Sequence, residues 1–319
     1  MIKKFLMVFI VMMFVVVSCG NSGNGKDETT DKDKENTDED TGEVNDDPED
    51  ADDLTDEPDD ETDETDENDE NDENGCETPD LIDECDIDYI EIVTQEDIAS
   101  IVNCRVITGD IYIEETDLEE IVLPCLEEVW ERIEIWDNPE LKKVSMPKLK
   151  EAGEIFLIGL NPQLSSLNLN SLELVWENFG IVKNNSLKKI SLPNLKNADG
   201  FYIEMNDSLE SAEAPLLEIL GDDLIVFKNN SLKSFSFPML EKSDLLGIVK
   251  NDVLETFDLS SFVETGDIII AFNPQLPTEL AEALVERVEE ESSVSVFSDV
   301  CENKDSTVKC DENYDWWEW

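Results

Sequence analysis

Hydrophobic and polar positions along the middle of the chain repeat every 22 or 23 residues. Asn138, Asn161, Asn184, Asn206, Asn229, Asn251 and Asn273 set the register. Each is followed three positions later by a leucine, from Leu141 through Leu164, Leu187, Leu209, Leu232 and Leu254 to Leu276. A second column runs Leu126, Leu149, Leu172, Leu195, Leu217, Leu240 and Phe262, and an apolar-Pro pair such as Met146-Pro147 or Leu192-Pro193 precedes several of its members. Self-similarity at such a period marks a solenoid, in which each unit buries its apolar face only by stacking on its neighbours.

Two alternating runs lie inside each unit, with the period of a β-strand. One is Ile133-x-Ile135, Phe156-x-Ile158, Phe179-x-Ile181, Phe201-x-Ile203, Leu224-x-Val226, Leu246-x-Ile248 and Ile268-x-Ile270. The other includes Val144-x-Met146, Leu167-x-Leu169, Ile190-x-Leu192 and Phe235-x-Phe237. Every coil therefore lays a rung on at least two parallel sheets, and the recurrent Asn falls where the chain must turn. There its side chain can bond neighbouring backbone or stack as a ladder. The pattern predicts an all-β parallel β-solenoid of about eight coils, closed by a short helix at each end. Gln95 to Val102 forms the first cap. Pro277 to Glu291 forms the second, with Leu280, Leu284, Val285 and Val288 on its apolar face.

The entry segment runs Thr94-Gln95-Glu96-Asp97-Ile98-Ala99-Ser100-Ile101-Val102-Asn103-Cys104, followed by Ile107-x-Gly109-x-Ile111-x-Ile113. Together with the repeat, it resembles the receptor L-domain family, over roughly residues 85 to 300. The resemblance implies a right-handed solenoid and a binding role without a fixed catalytic set. Leucine-rich repeats are the near rival, since Phe156-x-Ile158-x-x-Asn161 is similar to their strand-plus-asparagine. They differ in needing a helix or its equivalent where a second strand pattern stands here.

Ahead of the repeat, Lys3 and Lys4 precede an unbroken apolar run from Phe5 to Val17, the pattern of a secretory signal and too short to span a bilayer. Val16-Val17-Ser18-Cys19-Gly20 resembles the bacterial lipobox. This implies removal of residues 1–18, acylation of Cys19, and a membrane partner held through the lipid. Gly20 after the cysteine favours outer-membrane sorting in a Gram-negative cell. Residues 19–75 then read as an acidic, disordered tether: between Lys26 and Gly75 stand 28 acidic and 3 basic residues, almost without apolar ones. Weak calcium capture there is open to such carboxylates, although no coordination loop is defined. Setting aside that −25 and the two lysines of the signal leaves −36 of the whole-chain −59 for residues 76–319. A charge of this sign disfavours nucleic acid and anionic lipid, which need a basic footprint.

Excluding Cys19, six cysteines remain, which in an exported chain read as disulfides. Cys301 and Cys310 flank a short polar loop and are expected to pair. By analogy with the L-domain entry cysteine, Cys104 pairs with Cys85, leaving Cys76 with Cys125; the swapped arrangement stays open. Without any histidine, Ser-His-Asp and Cys-His mechanisms are excluded, and neither a metal nor a cofactor is expected. Coils this short leave little room for the long loops from which solenoid enzymes build clefts.

The outward columns of the two strands differ. Ser145, Asn168, Ser191, Ser236 and Asp258 give one an ordinary wet face. On the other, Trp136, Val182, Phe227 and Val249 form one column and Leu157, Tyr202, Ile225 and Ile269 the next, interrupted by Glu134, Glu204 and glycines. An exposed face of that composition is expected to bind a protein or glycan. Trp130 and Trp176, two coils apart with Gly153 between them, form a secondary candidate able to stack on sugars. The expected function is a non-enzymatic surface lipoprotein that binds through the apolar face. A self-associating envelope lipoprotein and a carbohydrate-active enzyme are the alternatives. The tail, residues 301–319, ends in Tyr314, Trp316, Trp317 and Trp319 among carboxylates.

Overall fold

A computed structural model describes Cys76 and residues 80–310. The signal, Cys19, the tether and the aromatic tail lie outside the described residues. The architecture is a parallel β-solenoid of about nine turns, one more than the repeat count suggests. Its ends add rungs that lack the repeat signature, Tyr89–Glu91 at the entry and Phe297–Cys301 at the exit.

The central coils contribute to three faces. The longest sheet has ten strands and includes Ile133–Trp136, Phe156–Gly159, Asn178–Val182, Gly200–Glu204 and Leu224–Phe227. The second alternating run builds a three-stranded and a four-stranded sheet. A third face is a seven-stranded sheet whose central rungs are two residues long, such as Glu128–Val129, Glu151–Ala152 and Leu174–Val175. All strand pairings are in register from coil to coil, as in Phe156↔Phe179↔Phe201 and Ile158↔Ile181↔Ile203. Parallel pairing stacks like on like, so the inward positions become continuous hydrophobic columns, fully buried at Ile135, Ile158, Ile181, Ile203 and Val226. Phe156, Phe179, Phe201, Phe237, Phe235 and Phe257 form a chain of ring contacts through this core, with centroids 5.2–5.6 Å apart.

The Asn turn follows from a local conflict. In successive coils Asp137, Leu160, Lys183, Met205, Lys228, Lys250 and Phe272 are left-handed, with φ between 52° and 57°. That conformation costs a non-glycine residue about 1–2 kcal/mol. The next residue is always the ladder asparagine, fully buried, and its bonds offset the strain. Its Oδ1 accepts from the backbone N–H of the asparagine one coil earlier, as in Asn161 N–H to Asn184 Oδ1 at 3.3 Å and Asn206 N–H to Asn229 Oδ1 at 3.1 Å. Its Nδ2 donates to a strand carbonyl of the preceding coil, as in Asn206 to Ile181 O at 2.8 Å. Thr116 starts the ladder by donating to Asn138, and Asn303, thirty residues beyond Asn273, closes it.

Both caps form where expected. Helix α1, Gln95–Ile101, begins in a capping box between Thr94 and Asp97 and buries Ile98 and Ile101. Helix α2, Thr278–Glu291, buries Ala281, Leu284 and Val288, with Leu280 and Val285 packed at its margin. The disulfides are Cys76–Cys125, Cys85–Cys104 and Cys301–Cys310, so the swapped arrangement is not adopted. All three lie toward the ends of the solenoid, two at the entry and one at the exit.

Candidate functional site

The eight residues of the expected binding face stand in the columns read for them. Trp136, Gly159, Val182, Glu204, Phe227 and Val249 align in one outward column, and Leu157, Gly180, Tyr202, Ile225, Gly247 and Ile269 in the next. Their direction is outward, since their strand neighbours belong to the contiguous core and they do not. The expectation that they are exposed is overturned. Val182, Val249, Ile225, Ile269, Phe227 and Leu157 are 1–7% accessible, while Trp136 and Tyr202 are half-buried.

Part of the reason lies within the columns. The glycines that interrupt them are notches into which larger neighbours fold: the Trp136 ring occupies the space a side chain at Gly159 would fill, and Leu157 reaches over Gly180 in the same way. Lys228 and Lys250, both at left-handed turn positions, hold their ammonium groups 4.9 and 5.9 Å from the Phe227 ring centre. This layer also contains titratable groups. Burial pushes the Glu204 carboxyl up to about 7, against the pull of Lys183 and Lys228. Asp223 rises to about 7 through burial and the charges of Asp222 and Asp244. Tyr202 is raised too, and its hydroxyl and Asn178 Oδ1 are buried without a hydrogen-bond partner. A second correction concerns the polar face: Ser145 is 1% accessible, with its hydroxyl unpartnered, while Asp258 is exposed and Asn168, Ser191 and Ser236 are half-buried.

The secondary candidate is the exposed one. Trp130 and Trp176 are 52% and 59% accessible, the most open tryptophans among the described residues. Each follows a strand of the seven-stranded sheet. In-register hydrogen bonds, from Trp130 N–H to Ile107 O, Gly153 N–H to Val129 O and Trp176 N–H to Ala152 O, set Trp130, Gly153 and Trp176 on three consecutive coils. Glycine is required at 153 because a Cβ there would collide with the Trp130 carbonyl, and its consequence is a gap between two indoles. The Trp176 ring N–H donates to Glu151 on the middle coil. Glu131 and Glu154, directly after Trp130 and Gly153, are in contact; desolvation and Glu154 both raise the Glu131 carboxyl. Arg132 meets Glu154 at 3.6 Å. Sequence reading passed over these glutamates, although Glu131, Glu154 and Glu177 recur at the repeat spacing and so had to stack.

Among the described residues no three His, Cys, Asp or Glu side chains are arranged to hold a metal ion, and no helix is long and apolar enough to cross a membrane. Comparison of the chain with protein-family models, curated proteins and solved structures gave no match.

Proposed function

We propose that this chain is a non-enzymatic binding module of the cell envelope, anchored through acylated Cys19, set off by the acidic segment 19–75, and binding its partner at Trp130 and Trp176. The observation that carries the binding role is the pair of open indoles on an otherwise polar turn. Exposed aromatic surface costs solvation and is kept where it meets a partner. The resemblance to receptor L-domains supports the same class of role, since such solenoids serve recognition. The disulfides fit an oxidising compartment outside the cytoplasm. Absence of histidine and the tight coils favour binding over hydrolysis.

Two measurements test this reading. Immobilised full-length chain should retain a surface polysaccharide or envelope protein that a Trp130→Ala/Trp176→Ala variant with unchanged melting retains at least tenfold less. Identical retention by both removes the tryptophans from the function. Separately, Cys19→Ser should move the protein from the detergent phase to the aqueous phase, and equal partitioning would refute the anchor.

A further inference from the structure

The two indoles sit in a strongly acidic setting, and that setting narrows the ligand. Resting on the reading of Trp130 and Trp176 as the binding site, we infer that the pair receives an arginine side chain of a basic polypeptide, with Glu131 and Glu154 as its carboxylate rim. Three observations point there. The first is spacing. The rings spring from coils two steps apart, about 10 Å at a strand spacing of roughly 4.8 Å. The Trp176 ring leans toward the middle coil through its bond to Glu151, which narrows that gap. A flat group held between two rings needs about 7 Å, two van der Waals contacts of roughly 3.5 Å each.

The second is charge. Glu131 and Glu154 are stacked on adjacent coils by the bond from Glu154 N–H to Glu131 O at 3.1 Å, and Arg132, 3.6 Å from Glu154, offsets only part of the charge that Glu154 puts on Glu131. A cation entering between the rings relieves that repulsion, whereas a neutral sugar leaves it in place. The third is shape. A guanidinium is planar and weakly hydrated, stacks on aromatic faces and donates to carboxylates in a fork, so it can use the ring walls and the rim at once. Ammonium groups have the charge without the plane. The acidity of the chain as a whole steers such a partner toward the surface but does not select the site.

Calorimetric titration of the full chain with a blocked peptide carrying two arginines, the same peptide with lysines, and cellotetraose separates the outcomes. The acidic segment will attract both peptides, so the informative quantity is the difference between wild type and Trp130→Ala/Trp176→Ala. The arginine peptide should lose at least tenfold in affinity in the double variant and several-fold in Glu131→Gln. The lysine peptide should be weaker on wild type and nearly indifferent to the tryptophans. Equal arginine-peptide affinity in wild type and double variant, with melting unchanged, overturns the inference and assigns the binding to diffuse charge. Cellotetraose bound through the tryptophans, with the arginine peptide indifferent to them, overturns the ligand class while leaving the binding site standing. If no probe depends on the tryptophans, the arginine inference falls. The retention experiment then decides the broader reading separately.

Discussion

Two faces of the solenoid carry aromatic side chains on the outside, with opposite fates. On the ten-stranded sheet Phe227 points away from the core and is 5% accessible; just past the rung Leu174–Val175 of the seven-stranded sheet, Trp176 lies outside the core and is 59% accessible. The difference is one of neighbourhood. Phe227 closes a four-residue strand, paired in register with Glu204 on one side and Val249 on the other, beneath the ammonium groups of Lys228 and Lys250. Trp176 follows a two-residue strand, and the coil before it offers only Gly153. Pointing outward and being exposed are separate properties in a stacked fold. The second depends in part on what neighbouring residues and adjacent coils place over the column.

The sharpest way to break the comparison is to establish what the true interior tolerates. Ile181, fully buried in the core, replaced by Asp should leave the domain unfolded. An unpaired carboxylate there costs several kcal/mol, comparable with a domain's whole stability. Ser191→Asp, on the half-buried outer face of another sheet, should retain a cooperative melt, and similar melting of the two would refute the register. Phe227→Ser comes next. A buried aromatic lost to a small polar residue costs roughly 3 kcal/mol, so a melting temperature lowered by many degrees is expected. Near-wild-type melting would mean that Phe227 is open after all and would return the ten-stranded face to the candidate binding surfaces.

Glu204 sharpens the same contrast through pH. Burial raises its folded carboxyl to about 7 from an ordinary value of 4.5. Below pH 4.5 both states hold the proton and the group costs nothing. Between 4.5 and 7 the unfolded chain releases it first and stability falls, levelling off above 7. The total is about 3 kcal/mol at roughly 1.4 kcal/mol per pH unit. Denaturant titrations from pH 4 to 8 should show this decline in the wild type and a shallower one in Glu204→Gln. Parallel curves would indicate that Glu204 is solvated.

Much of the fold was legible because parallel stacking copies each column's chemistry. Seven asparagines at one spacing could occupy only equivalent corners, and Ile133-x-Ile135 with its successors could be only one sheet. Thr116 and Asn303 escaped because they extend the ladder with a different residue or at a different spacing. The seven-stranded sheet escaped because rungs such as Glu151–Ala152 are too short to show alternation. Burial of the outward columns escaped for a deeper reason. Strand phase gives a side chain's direction, whereas part of its cover comes from neighbouring coils: a ring folded over Gly159, or Lys250 arching from a left-handed turn over Phe227.

The smallest effect is expected where the functional claim is largest. Trp176→Ala removes a side chain that is mostly in water, contributes nothing to the contiguous core, and makes one side-chain hydrogen bond, to the half-buried Glu151 on the neighbouring rung of its own sheet. Surface changes away from special features stay within about 0.5 kcal/mol. Losing the indole bond leaves Glu151 to solvent and strands no buried partner, so a drop of a few degrees at most is expected in a thermal melt. Trp130→Ala, beside the crowded Glu131 and Glu154, should behave alike. Set against Phe227→Ser in one series, these variants test whether accessibility separates the two aromatic faces. If Trp176→Ala destabilises as much as Phe227→Ser, the indole is a structural plug over the Gly153 coil, and its exposure carries no argument for binding.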